Sequence, residues 1–548
     1  MTEINSYNII RSYYQNKKIL LAGWDCENKQ DSNASQAWYS NLKKIFGKVA
    51  TFSPKKNYFI YGKEVMNRRF LELINKEKPD FIFFTLIYDE FDPKVFVEIK
   101  ERFPELQMIS FNSDDSWRFG DYYQYYSLFF DYILTPSHYI LSSYKKNGIK
   151  GVSVSYGVNL DYYKPLNLEK KYDVVFIGRP GKERVDYLKF LINEGIKVNI
   201  WGDGWEAYPE FKSFYHGMLS SEDWLRVVNQ SKINLNFSMG GDGKPQFKGR
   251  TMEVFACKSF CLVGYCKDYL NIFNNNEIVM FKDKKDLLKK INYYLIKDDK
   301  REKIANSAYK KIIKKYNLEL ELYELFNKIK NKEKQKFVFS LFKKVKYISI
   351  SEFNDRENKL KNYDYVCFKI KSSTINPLKE NLQVYSLENS EKDISCCDYY
   401  VNSPKLGNYL LFKSKQSFDR IGEKANCLVN PAQLMVKKKY FLRHLNLFKN
   451  LLEGKTEKVI KDNAVFVSIP LIEIKKIRIL SIKKMEESFQ MKFLDNLGSL
   501  YIQKKPILFY LINLIFETLK GKLFILIILK NTIMNRSKLD KLKDLLTG

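Results

Sequence analysis

Residues 171–195 read KYDVVFIGRPGKERVDYLKFLINEG. A short apolar run, VVFI, leads into a loop carrying two glycines, and a helix-patterned segment follows. The order is strand, loop, helix. The same order recurs downstream. IKVNIWGDGW, KINLNFSM and EIVMFKD (277–283) each supply a strand, and KDLLKKINYYLI and KREKIANSAYKKIIKKY place apolar residues at helical spacing up to about residue 330. Upstream, KKILLAG (17–23), KPDFIFFTLI (78–87), LQMISFN (106–112) and FDYILTPS (130–137) are strands, with helices at 37–46, 93–102 and 138–147. GVSVSYGVNLDYYKP closes this first series as a loop. Continuous apolar strands alternating with helices mark a parallel sheet covered on both faces. The fold class is therefore α/β. Two successive series, residues 1–165 and 166–330, predict two Rossmann-like domains facing one another across a cleft. Ligands of such sheets gather at the carboxyl ends of the strands.

Composition sets outer limits. At 548 residues the chain exceeds one ordinary domain, and 45% hydrophobic with 15% aromatic residues is ample for large cores. The formal charge of +30 favours anionic partners. A chain rich in Lys, Asn, Ile, Tyr and Phe together also has the composition of AT-rich coding, so the charge is a weak guide to ligand. No nucleic-acid recognition module accompanies it, and no nucleic-acid partner is expected. MTEINSYNIIRSYYQNKKILLAGWD has no secretory pattern, and eight cysteines without framework spacing fit reduced thiols in a cytosolic compartment. Cys257, Cys261 and Cys266 lie close together without a nearby histidine, so no metal site and no cofactor are expected.

Two loops at strand ends carry candidate chemistry. In GRPGKER (178–184), glycines allow close backbone approach, and Arg179, Lys182 and Arg184 offer positive charge beside a helix N-terminus. That is either a diphosphate cradle or a solvated basic turn. WGDGW (201–205), with Gly202 and Gly204, is a second glycine loop or an ordinary turn. Downstream, FKGRTMEVFACKSFCLVGY (247–265) places Arg250 and Glu253 three apart on a helix, hence on one face, before a buried strand. They form a local ion pair or a ligand site. Arg250 suits a phosphate oxygen, and a carboxylate such as Glu253 accepts both hydroxyls of a ribose diol. Asp114 and Asp115, after LQMISFN, are either a catalytic base or a cap for the next turn. His216, before Gly217 at a strand end, lines the cleft or stays structural.

Taken in order, VVFIGRPGKER, IWGDGW, FYHGMLSSEDWLRVVNQSKINLNFS and GRTMEVFACKSFCLVGYCKDYLNIFNNNEIVMFKD closely resemble the C-terminal half of GT-B glycosyltransferases. The spore-maturation (CgeB-like) branch, related to glycosyltransferase group 1, is the most similar. FNSDDSW, FDYILTPSHYILSSYKKNGI and VSYGVNLDYYKP extend the resemblance over about residues 17–330. It implies a nucleotide sugar bound mainly by the second domain and an acceptor on the first. Glu253 then matches the ribose glutamate, Arg179, Lys182 and Arg184 the diphosphate contacts, and Gly202 and Gly204 the surroundings of the base. The group 1 pattern carries a further glutamate about eight residues before Glu253; here Pro245 and Gln246 stand instead, so the donor-sugar contact and the stereochemistry stay unassigned. The implied activity is metal-independent transfer of a sugar from a nucleotide-diphosphate sugar to a glycan, lipid-linked or protein acceptor, in surface polysaccharide biosynthesis. A catalytically inactive GT-B scaffold is the alternative.

Beyond residue 330, NKIKNKEKQK (327–336) reads as a linker, and residues 337–500 as an α/β or α+β accessory domain. The latter faintly resembles a GT-A glycosyltransferase core, yet FKIKSSTINP lacks the metal-binding carboxylates of that fold. The tail, 501–548, is apolar but broken by Glu517, Lys520 and Lys522. It reads as amphipathic or buried helices, packed on the accessory domain or lying on an anionic inner leaflet, rather than as a membrane span.

Overall fold

The computed structural model describes residues 12–23, 38–86, 90–149, 151–240 and 243–330, and parts of 345–474. Two parallel sheets account for the described residues up to 330. The first has β1 (Lys18–Gly23), β2 (Lys48–Phe52), β3 (Phe81–Thr85), β4 (Gln107–Phe111), β5 (Tyr132–Thr135) and β6 (Val152–Val154), in the order β2-β1-β3-β4-β5-β6. The second has β7 (Tyr172–Ile177), β8 (Val198–Trp201), β9 (Ser231–Asn236), β10 (Cys261–Gly264) and β11 (Val279–Phe281), in the order β11-β10-β9-β7-β8. Every pairing in both sheets is parallel. Strands such as β5 and β8 are buried along their whole length, which is why their sequences are continuously apolar rather than alternating.

The α/β expectation is met, with three local differences. Val152–Val154, within the segment expected to be loop, is the edge strand β6. Its residues are only half-buried, so no apolar run marked it. Strand β2 is missing from the sequence reading for the same reason. The 24-residue helix Pro54–Glu77 was also not anticipated; Met66, Phe70 and Ile74 are its buried apolar positions, a sparse stripe, and Gly62 breaks its helical dihedrals with φ 78°.

Three helices follow β11: Lys284–Leu295, Asp298–Lys315 and Leu318–Lys330. The last one returns to the first sheet. Its Leu318, Leu322, Phe326 and Ile329 share a core with Tyr14, Ile19, Phe46 and Phe81. Burying each such side chain contributes on the order of 2 kcal/mol. The Tyr14 hydroxyl donates to the Phe326 carbonyl at 2.8 Å. Glu321 accepts from Ser155 Oγ at 2.7 Å and from the Gly157 N–H at 2.9 Å, closing the segment that joins the two sheets.

Residues beyond 337 build most of a second compact unit. Its described strands, β12 (Val345–Ile348), β13 (Tyr365–Phe368), β14 (Ser373–Ile375), β15 (Ile394–Asn402), β16 (Tyr409–Phe412), β17 (Leu434–Lys437) and β18 (Ala464–Ile474), form one sheet. The sheet is mixed: β12/β13 and β15/β18 are parallel, the other pairs antiparallel. The tail 501–548 lies outside the described residues. Among the described residues no helix is long and apolar enough to cross a membrane, and no group of three or more His, Cys, Asp or Glu is placed to hold a metal ion.

Candidate functional site

In the second sheet the chain runs outward from β7 to β8, then crosses back to β9 on the other side of β7. The connections leaving β7 and β9 therefore diverge and leave a crevice at the carboxyl ends of these two strands. The loop 178–181 enters it from β7, and the segment 237–249 from β9. The helices that follow, Lys182–Asn193 and Arg250–Ala256, carry the charged side chains gathered there.

Arg250 reaches over the end of β7. One of its Nη atoms donates to the Ile177 carbonyl at 3.1 Å, its Nε to Glu253 Oε2 at 2.9 Å, and its guanidinium lies 5.2 Å from the Trp224 ring. Arg184 donates to the Arg179 carbonyl at 2.8 Å, with its guanidinium against Phe176. Burial lowers the pKa of Arg184, and the neighbouring Arg250 charge adds to the effect. Lys248 stands beside Arg184. Burial first, then the Arg184 charge, brings its ammonium down to about 8, against the opposing pull of Asp114 and Glu183. Among the described residues Lys248 makes no ion pair. Arg184, Lys248 and Arg250 are thus three cations within electrostatic reach of one another, two of them disfavoured by burial.

The position of Lys248 is set by its neighbours. The Gln246 N–H donates to the Ser238 carbonyl at 2.7 Å, Phe247 is buried against Tyr156 and Tyr269, and the Lys248 N–H donates to the Tyr269 hydroxyl at 3.0 Å. The first domain meets this segment directly: Ser116 Oγ donates to Gln246 Oε1 at 2.7 Å. Asp114, half-buried, accepts from Trp117 Nε1 at 3.2 Å and lies within electrostatic reach of Lys248. The carboxyl-end loops of the two sheets thus converge on the cationic cluster.

The structure sorts the residues singled out in the sequence. Arg184, Arg250 and Glu253 come together at the crevice, and Asp114 joins them from the other domain. Arg250 and Glu253 form the local ion pair. Asp115 does not reach the crevice: it is fully buried and accepts from the Tyr144 hydroxyl at 2.7 Å, within a network through Asn112 and Ser127. Burial pushes its carboxyl up to about 7. Arg179 and Lys182 are exposed, and Arg179 pairs with Asp203 at 3.4 Å. Gly202 has φ +130°, and a Cβ there would come within 2.4 Å of the Gly178 carbonyl oxygen. The glycine is needed for that loop-to-loop approach. The Gly202 N–H donates to the Gly217 carbonyl and the Gly204 N–H to Glu206 Oε2. His216 extends along β8, its ring stacked on Trp201 at 4.7 Å and bonded to Asn199 Oδ1 at 3.0 Å. Burial lowers its pKa, and the charges of Lys197 and Lys171 add to the effect.

The sequence does not single out Lys248 or Glu183. Lys248 stands in the stretch 247–265 beside the more conspicuous spacing of Arg250 and Glu253. Glu183 was hidden between two basic residues in GRPGKER. A lysine and a glutamate carry no local signal of burial.

Residues 184–326 match the family described as glycosyl transferase-like. A search of curated proteins finds no match. Solved structures similar to the chain include sucrose-phosphate synthase from Thermosynechococcus elongatus, at 11% identity over 57% of this chain and 99% of that one, with a TM-score of 0.44. A glycosyltransferase from Rickettsia africae is 16% identical over 58% of this chain and 100% of that one, with a TM-score of 0.42. Anabaena HepE in complex with UDP and glucose is 12% identical over 57% and 98%, with a TM-score of 0.42. Arg184, Lys248, Arg250 and Glu253 thus fall within the residues that match the glycosyl transferase-like family.

Proposed function

We propose that the chain transfers a sugar from a nucleotide-diphosphate sugar to an acceptor hydroxyl, with the diphosphate held by Arg184, Lys248 and Arg250. The observation that carries this reading is the cluster of three cations at the sheet's switch point, reached from the facing domain by Asp114. The family match over the same residues supports it. Glu253 takes the ribose hydroxyls in this reading, and Arg179 and Lys182 attract the anionic ligand from the rim.

The chemistry follows from the charges. The bond from the anomeric carbon to the phosphate oxygen breaks, and its electron pair leaves with the diphosphate. Cations already aimed at that group lower the barrier most, because the charge grows there in the transition state. The acceptor oxygen bonds to the anomeric carbon and gives up its proton. In an inverting reaction Asp114 takes it, since Asp114 faces the crevice and Asp115 does not. The acceptor is a glycan, lipid-linked intermediate or protein of surface polysaccharide assembly. The reaction runs in the cytoplasm, at the inner face of the membrane.

A second reading, a binding scaffold without turnover, draws on two observations. Arg250 and Glu253 already satisfy each other, and Pro245 and Gln246 replace a glutamate of the related pattern. One experiment separates the two. The protein is titrated with nucleoside diphosphates, and hydrolysis or transfer of the matching sugar conjugates is then followed. A melting-point rise together with turnover establishes the transferase. A rise without turnover leaves the scaffold, and no rise with any nucleotide removes both.

A further inference from the structure

Two aromatic side chains stand in solvent at the carboxyl end of the first sheet. Trp117, on the short helix Asp115–Arg118 after β4, is 36% exposed, and Tyr139, in the connection after β5, is 48% exposed. Single exposed aromatics are ordinary on a protein surface. These two are tied to one another and to Asp114. The Tyr139 hydroxyl donates to the carbonyl of Ser116, the residue before Trp117, at 3.1 Å. Trp117 Nε1 donates to Asp114 Oδ1 at 3.2 Å. The guanidinium of the buried Arg118 lies over the Trp117 ring at 5.7 Å. The polar end of each ring is thus taken up by the protein, which leaves ring carbon to a ligand.

Their place in the fold narrows what that ligand is. Ser116 Oγ donates to Gln246 Oε1 at 2.7 Å, so this edge of the first domain lies against the segment that carries Lys248. In the reading above, Asp114 takes the proton of the acceptor hydroxyl. Whatever carries that hydroxyl then lies against Trp117, because the indole is bonded to the same carboxylate. A pyranose ring has the matching surface, with C–H faces that pack on an aromatic face and hydroxyls around its rim. Polar side chains flank the pair, Asp114 half-buried before Trp117 and His138 exposed before Tyr139. A polyprenyl or acyl chain needs continuous apolar surface, which Asp114 and Ser116 interrupt. A peptide serine or threonine has no ring face to offer.

We infer that Trp117 and Tyr139 form an acceptor subsite, on which the sugar ring bearing the attacking hydroxyl stacks beside Asp114. The inference rests on the transferase reading above and narrows its acceptor to a carbohydrate hydroxyl. Neither ring takes part in the bond change; together they hold the acceptor so that its hydroxyl meets the carboxylate.

The test is saturation-transfer NMR on the full chain, with methyl glycosides of glucose, galactose, rhamnose, N-acetylglucosamine and N-acetylgalactosamine as probes. At least one glycoside is expected to receive saturation on its ring C–H protons. In Trp117→Leu and in Tyr139→Leu its affinity, read from the dependence of transfer on concentration, falls about threefold to tenfold, the worth of an aromatic contact. Trp117→Phe, which keeps a ring but loses the bond to Asp114, retains most of the affinity. Circular dichroism and calorimetric binding of nucleoside diphosphates establish that each variant is folded. Affinity unchanged in both leucine variants overturns the inference. Equal losses in Trp117→Phe and Trp117→Leu overturn it too, since the indole N–H and not the ring would then matter. So does a wild type that binds a nucleoside diphosphate but none of the glycosides. A wild type that binds glycosides through Trp117 but no nucleoside diphosphate sinks the transferase reading and leaves the subsite standing.

Discussion

Arg250 and Glu253 hold each other at 2.9 Å on the helix that opens onto the β7/β9 crevice, with about a third of each side chain in solvent. A part-exposed ion pair of this kind is worth about 0–1 kcal/mol to the fold. Its stability contribution is too small to explain two charged residues placed at a switch point. Glu253→Ala is therefore expected to leave the melting point nearly unchanged. It should weaken nucleoside diphosphate binding about tenfold, read as a smaller ligand-induced rise in melting temperature. An unchanged rise would return the pair to a purely structural role.

Lys248 provides a pH signature. Its ammonium titrates at about 8 in the free protein, lowered by burial and by Arg184. A bound diphosphate would hold it protonated, raising its pKa in the complex. Affinity should then be full below pH 8 and fall as the pH rises above it, by up to about tenfold per unit. Lys248→Met should bind weakly and lose this slope. Titrations at pH 7 and pH 9 check both statements.

Two adjacent aspartates should behave oppositely. Asp114→Asn is expected to cut transfer about 10²–10⁴-fold in an inverting reaction while changing stability by less than about 0.5 kcal/mol. Asp115→Ala should do the reverse. It leaves the buried Tyr144 hydroxyl short of its acceptor and should cost about 1–3 kcal/mol in urea unfolding. Normal transfer by Asp114→Asn would remove it as the base.

Glu321 links the closing helix to the junction of the two sheets, and burial pushes its carboxyl up to about 7 despite donations from Ser155 and Gly157. The unfolded value is about 4.3. A folded pKa above the unfolded one gives stability that is full below pH 4.3 and lost as the pH rises through 7. Asp115, also raised to about 7, titrates over the same range. Glu321→Gln should remove its share of this loss, on the order of 3–4 kcal/mol between pH 4 and pH 8. Urea unfolding across that range measures it, and an unchanged pH profile would contradict the assignment.

Most of the α/β framework was legible, because strands buried on both faces must be written as unbroken apolar runs. Val174–Phe176 and Ile133–Leu134 announce themselves, whereas Val152–Val154, half-exposed at a sheet edge, does not. The loop 178–184 was legible as a strand-to-helix turn rich in glycine and positive charge. Which of its charges matter was not. Arg179 and Lys182 turn outward, while Arg184 is drawn in over Phe176.

From the sequence alone came the parallel α/β class and a basic loop before a helix. These depend on local patterning, where a residue's neighbours in the chain are its neighbours in space. The tertiary structure alone decided that Glu183, Lys248, Arg250 and Asp114 share one crevice, that Asp115 is locked inside the first domain, and that His216 lies along β8. Each of those outcomes depends on strand order and on which loops converge at the β7/β9 switch point. Burial and the fields of distant charges, which set the chemistry of Lys248 and Glu183, exist only once those loops have met.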